Sequence, residues 1–222
     1  VAGIETIWHN HALTHDLDAR LDAEEAARMV GLNFVVNALL NADRDVSDLI
    51  CGDMVKAQRK GVELAARHYA TPIFEDADIS ITSGYPMANE GYKAYKIARD
   101  SVRERGDVVF LVYSPEGSRV HYYNGRFGMD FGGRGWRPDM YVPKPWKMGR
   151  VIVVSPNLMK AEELYYGEGS IWVRSWSEAL VMLEEKHGSR AEVAIYPCGT
   201  MQVSETESEE LLSKFGISET SP

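Results

Sequence analysis

The sequence predicts an α/β protein built on a parallel β-sheet, and three observations predict it. Short, strongly apolar runs at residues 108–113, 151–154 and 193–195 read as strands buried on both faces, the pattern of a parallel sheet. Helix-forming stretches alternate with them, and strand–helix–strand order implies parallel pairing through right-handed crossovers. With 222 residues, 45% hydrophobic and 26% charged, the chain has the composition of a globular protein able to bury a core.

The elements follow in order. Asp22 with Glu25 has capping-box spacing for a first helix, and Gly31 suits its carboxyl-terminal cap. Residues 33–40 are rich in apolar side chains, Asn41-Ala42-Asp43-Arg44 reads as a turn, and residues 46–50 resume the pattern, which predicts a β-hairpin. Asp53 caps a second helix reaching about Tyr69, with Val55, Leu64, Ala65 and His68 as inner positions. Thr71-Pro72 ends it, because proline disfavours helix in the residue before it. Residues 79–82 form a short strand, Ser83-Gly84-Tyr85-Pro86 a loop and residues 89–105 a helix. Ser175 with Glu178 caps a further helix through Lys186. Residues 77–200 therefore read as a Rossmann-like three-layer domain. Residues 1–76 read as an α+β segment (helix, hairpin, helix) from a neighbouring domain, and residues 201–222 as a terminal helix and tail.

Bulk properties narrow the function. A net charge of -9 argues against unspecific binding to nucleic acid or an anionic membrane. No apolar run approaches the roughly 20 residues needed to span a bilayer, and a cytoplasmic location is expected. The separated Cys51 and Cys198 are expected to be reduced thiols. Because Val1 runs almost at once into His9-Asn10-His11, the chain reads as a piece of a longer one.

Three groups of residues invite chemistry, and each has a plainer alternative. His9, His11 and His15 are metal-ligand types, but His-x-His-x3-His matches no standard zinc pattern; surface histidines explain them as well. The loop Gly84-Tyr85-Pro86 follows a strand of the parallel sheet, where ligands of such sheets bind, and leads to Tyr92, Lys93 and Lys96. A helix starting there offers free N–H groups to an anion, and lysines three apart occupy neighbouring helix positions. The alternative is a solvated amphipathic helix. The glycine-rich loop from Gly125 to Gly135, followed by Trp136, Arg137 and Pro138, lacks both the dinucleotide and P-loop fingerprints and reads as a lid or contact surface.

Several stretches in a common order carry a family resemblance. They are Gly3-Ile4-Glu5-Thr6-Ile7 with His9-Asn10-His11, the run from Asn33 to Asn41, the Gly52-Asp53 helix start, and Ala77-Asp78-Ile79 through Gly84-Tyr85-Pro86. With the helix bearing Tyr92 and Lys96, they resemble the later half of the nickel-dependent lactate racemase family. The likeness covers about residues 3–113 and returns at Tyr196-Pro197-Cys198-Gly199.

The resemblance implies that His11 is a nickel ligand and that Tyr92 and Lys96 line a substrate site, with Lys93 standing where the family has glutamine. It implies a nickel-pincer nucleotide that takes hydride from C2 of a 2-hydroxy acid and returns it to either face, the protein positioning the substrate. Lys93 adds a cation and points to a more anionic substrate. The family's two acid–base histidines and its cofactor-linking lysine have no counterparts in this sequence. The chain alone is therefore expected to be inactive, to partner its own missing N-terminal domain, and to self-associate through the surface that domain would cover. The competing reading is a non-catalytic Rossmann-like module binding an anionic ligand or a partner protein, with Tyr122, Tyr123, Trp136 and Trp146 as its exposed aromatics.

Overall fold

The structure is a computed structural model describing residues 18–115, 147–157, 166–167 and 169–214. His9, His11, His15 and the loop from Gly125 to Gly135 lie outside these residues, as do Tyr122, Tyr123, Trp136, Arg137, Pro138 and Trp146. The chain forms two compact units, Val1–Pro72 with Val203–Pro222, and Ile73–Gln202.

In the first unit, helix α1 (Asp18–Met29) runs through Asp22, which is not a helix start as its spacing implied. Acids three apart are also the spacing of a solvent-facing helix stripe, and both Asp22 and Glu25 are exposed. The carboxyl end is as expected. Gly31 adopts φ +73°, its N–H reaches the Arg28 carbonyl and the Leu32 N–H reaches Ala27, a Schellman cap. Strands β1 (Val35–Leu40) and β2 (Val46–Gly52) form the hairpin, antiparallel. Asn41 Oδ1 closes its turn by accepting the Asp45 N–H at 2.9 Å.

Helix α2 (Met54–His68) starts where Asp53 accepts the N–H groups of Val55 and Lys56, each at 3.0 Å. Its buried stripe is Ala57, Gln58, Gly61, Val62, Ala65 and Ala66, and His68 is exposed rather than inner. Small and polar Gly61 and Gln58 hide that stripe from a hydrophobicity pattern. Tyr69 ties helix to hairpin: its hydroxyl donates to the Leu40 carbonyl at 2.9 Å and accepts the Leu40 N–H at 3.2 Å. Two short strands were not foreseen. β3 (Ala70–Thr71) pairs in parallel with β9 (Val203–Ser204), from which α5 (Glu205–Lys214) returns so that Ser208 bonds the Ala66 carbonyl at 2.6 Å.

The second unit carries a five-stranded, wholly parallel sheet. Its strands are β4 (Ala77–Ser83), β5 (Val102–Leu111), β6 (Val151–Val154), β7 (Ile171–Val173) and β8 (Val193–Tyr196), in the order β7-β6-β5-β4-β8. Helix α4 (Trp176–His187), capped by Ser175, covers one face through Ala179 and Leu183 against Ile79, Val109 and Ile152. Helix α3 (Tyr95–Ser101) packs on the sheet through Ile97 against Ala77, Ala194 and Tyr196, and Ser101 bonds Ser80 at 2.7 Å. Val109 faces α4, while its neighbour Phe110 stacks with Tyr95 of α3, so strand alternation places the two helices on opposite faces. This is the Rossmann-like, three-layer α/β arrangement that the sequence predicts.

The helix expected at 89–105 is different. A 3₁₀ segment (Ala88–Ala94) precedes α3, and the chain turns directly into β5 at Val102. Val102 is extended because it pairs with Ala77, and Arg103 is drawn to Asp78 at 2.6 Å. Long-range pairing overrides the helix preference of the charged run.

Candidate functional site

Strand order reverses at β4. The chain moves from β4 outward to β5, β6 and β7, then returns to place β8 on the other side of β4. Open parallel sheets bind ligands beyond the carboxyl ends of the strands at such a switch point. The segments arriving there are residues 83–96 after β4 and residues 197–201 after β8.

These segments are fixed to one another. The Gly84 N–H bonds the Leu111 carbonyl at 2.8 Å, and Ser83 Oγ accepts the Tyr85 N–H at 3.0 Å. Thr200, buried on the other segment, donates to the Tyr85 carbonyl at 2.9 Å and lies 3.3 Å from that of Gly84. Gly199 packs against the buried Thr82, whose Oγ1 lies 1.9 Å from where a Cβ would stand. Only glycine fits between these chains.

The expected residues take distinct positions. Tyr92 and Lys93 are buried around Glu90: the Tyr92 hydroxyl donates to Glu90 at 3.1 Å, and the Lys93 ammonium ion-pairs with the other carboxylate oxygen. Lys96 is half-buried in the first turn of α3. Lys93 and Lys96 therefore do not share one open face: Lys93 is buried, Lys96 is half-buried, and the backbone changes from 3₁₀ to α-helix between them. Behind them, the Tyr95 hydroxyl donates to the Tyr166 carbonyl, and burial pushes that hydroxyl well above the usual phenol range.

Glu90, Thr82 and Thr200 were not singled out from the sequence, and Gly199 was named only within the stretch from Tyr196 to Gly199. Glu90 had a signal, an acid three residues before a lysine on a helix-like segment. Thr82 and Thr200 had none. Chemically, these segments carry the half-buried cation Lys96 and, just before it in the chain, a buried and internally paired Glu90–Tyr92–Lys93 network; a lysine ammonium is able to orient a carboxylate. Among the described residues no group of three or more His, Cys, Asp or Glu is placed to hold a metal, and both cysteines are free thiols. Among the same residues no helix is long and apolar enough to cross a membrane.

A Rossmann-like α/β chain with a five-stranded parallel sheet is the class these features define. No family model matches it. It is similar to the lactate racemase of Lactiplantibacillus plantarum, 27% identical over 128 residues, which is 50% of this chain and 30% of that protein. It also superposes on the structure of the lactate racemase apoprotein from Thermoanaerobacterium thermosaccharolyticum with a TM-score of 0.57 and 18% identity, over 91% of this chain and 54% of that chain. The matched regions are thus about half or less of each relative's length. The structural match shows a shared fold, and the sequence match is confined to half of this chain.

Proposed function

We propose that the chain is the substrate-orienting part of an isomerase that racemises or epimerises a small 2-hydroxy acid. The similarity to lactate racemase over half the chain carries this reading, supported by the position of Lys96 beside the switch point. In this role the Lys96 ammonium binds the substrate carboxylate and fixes the direction of C2. Tyr92 lines the site from the Glu90 network. Lys93 acts behind the surface, and because Glu90 neutralises it the pair adds no net charge to the pocket.

The same reading includes a nickel-pincer nucleotide as hydride acceptor, with His11 as a ligand to its metal. Among the described residues no group of three or more His, Cys, Asp or Glu is placed to hold its metal, so those residues by themselves do not fit it. Domains at 1–76 and 77–200, a tail at 201–222 and a cytoplasmic setting complete the proposal.

The test is lactate racemisation by a protein that joins this chain to the upstream part of its gene product. Lys96→Met is expected to lower kcat/KM by about 10–100-fold, chiefly through KM, the effect of losing one charge-assisted hydrogen bond of about 1.5–3 kcal/mol. An unchanged KM would sink the role of Lys96. A joined protein that binds lactate without racemising any 2-hydroxy acid would favour a non-catalytic anion-binding module.

A further inference from the structure

The end of the sheet opposite Ser83 holds a second polar cluster. There the beginnings of β5 and β6 and the last turn of α4 meet around Asp107, whose side chain is wholly buried. Arg150 bonds its Oδ2 through Nε at 3.0 Å and Nη2 at 2.6 Å; Lys186 bonds Oδ1 at 2.6 Å, and His187 lies 3.0 Å from Oδ2. Burial pushes the Asp107 carboxyl up, but the hydrogen bonds from Arg150, Lys186 and His187 outweigh it and hold it at about 2. One carboxylate therefore fixes two permanent cations in place.

Beside it opens a cavity of about 490 Å³ lined by Arg105, Gly149, Arg150, Glu185 and Lys186. Arg105 stands at φ +62°, and a Cβ on Gly149 would lie 2.3 Å from its carbonyl, so the two chain segments approach as only glycine allows. That approach brings a cation from β5 next to one from the start of β6. Among the described residues, the Arg105 guanidinium and Nη1 of Arg150 have no bonding partner. Three cations face Asp107 and Glu185, and the nearby Asp78 is held by Arg103 at 2.6 Å, which leaves a surplus of positive charge.

We propose that this cavity binds a phosphate monoester, its phosphoryl group held by Arg105, Arg150 and Lys186. Arginine forks match the spacing of phosphate oxygens, and cations already fixed by Asp107 lose little freedom on binding. The volume falls in the range of small-molecule sites, about 300–1,000 Å³, and leaves room for the organic part of an ester. The site lies at the other end of the sheet from the proposed substrate position and does not depend on that reading.

The 222-residue chain would be titrated with glycerol 3-phosphate, and separately with inorganic phosphate, at constant ionic strength while amide signals are followed by NMR. Saturable shifts at Gly149 and Lys186 are expected. Arg105→Ala should weaken binding about tenfold, the worth of one charge-assisted hydrogen bond. Glu185→Gln should tighten it several-fold, a gain that damage to the fold cannot imitate. Shifts that do not saturate, Arg105→Ala binding as well as the parent, or Glu185→Gln binding no tighter would each overturn the proposal. Tighter binding of inorganic phosphate than of the ester would overturn the assignment to a monoester.

Discussion

At the scale of single residues, the Lys93 ammonium is fully removed from water, and its stability rests on Glu90 beside it. A buried ion pair gains little over an apolar pair, but removing one partner strands the other charge at a cost of about 3–5 kcal/mol. Lys93→Gln should therefore destabilise the second unit by about that much. The double variant Glu90→Gln with Lys93→Gln should recover most of the loss in denaturant unfolding. If the double variant is no more stable than Lys93→Gln alone, the pair is not coupled as described. Asp107 makes a second residue-scale prediction. Its carboxyl stays ionised to about pH 2 in the folded chain, against 3.8 for the free side chain. As pH falls, the unfolded chain takes up the proton first. The contribution, of order 2 kcal/mol, is fully present above about pH 4 and lost on descending to 2. Thermal melts from pH 5 to 2 should show that fall, and Asp107→Asn should flatten it; an equal slope in the variant would exclude Asp107 as its source.

At the scale of elements, the switch point depends on how closely β4 and the turn after β8 approach. A Cβ on Gly199 would stand 1.9 Å from Thr82 Oγ1, 2.8 Å from Ala94 Cβ and 3.0 Å from the Ser83 carbonyl. Gly199→Ala forces that turn away from β4 and should cost about 1–3 kcal/mol, the usual range for overpacking. Thr82→Ala removes the nearest obstacle, so the two changes together should cost less than their sum. Strict additivity, within about 0.5 kcal/mol, would show that the two segments do not touch as described. The same separation of local from long-range causes explains the elements. Gly31, Asp53 and Ser175 cap helices through bonds to residues a few positions away, and each cap was legible. The boundary between α3 and β5 was not, because Val102 is extended by its pairing with Ala77, twenty-five positions earlier.

At the scale of the whole molecule, the matched regions are 30% of the curated relative and 54% of the solved one. On the proposed function, a chain matching about half or less of each relative's length is expected to show no lactate racemisation by itself. Turnover by the chain alone, measured as D-lactate formed from L-lactate, would contradict the proposed division of labour. Although Val193 and Ile195 are exposed rather than buried on both faces, by itself the sequence determined the α/β class, the strands at 108–113, 151–154 and 193–195, the hairpin and the caps at Gly31, Asp53 and Ser175. All of these depend on side-chain period and on contacts within a turn or two. It also pointed to Lys96 and to the loop at Gly84. Tertiary structure alone decided that Lys93 is buried against Glu90, that Gly199 and Thr200 join the same end of the sheet, and that Arg105, Arg150 and Lys186 converge on one cavity. Those arrangements follow from strand order, which brings together residues as far apart as Gly84 and Thr200, 116 positions. No local pattern along the chain encodes such distances.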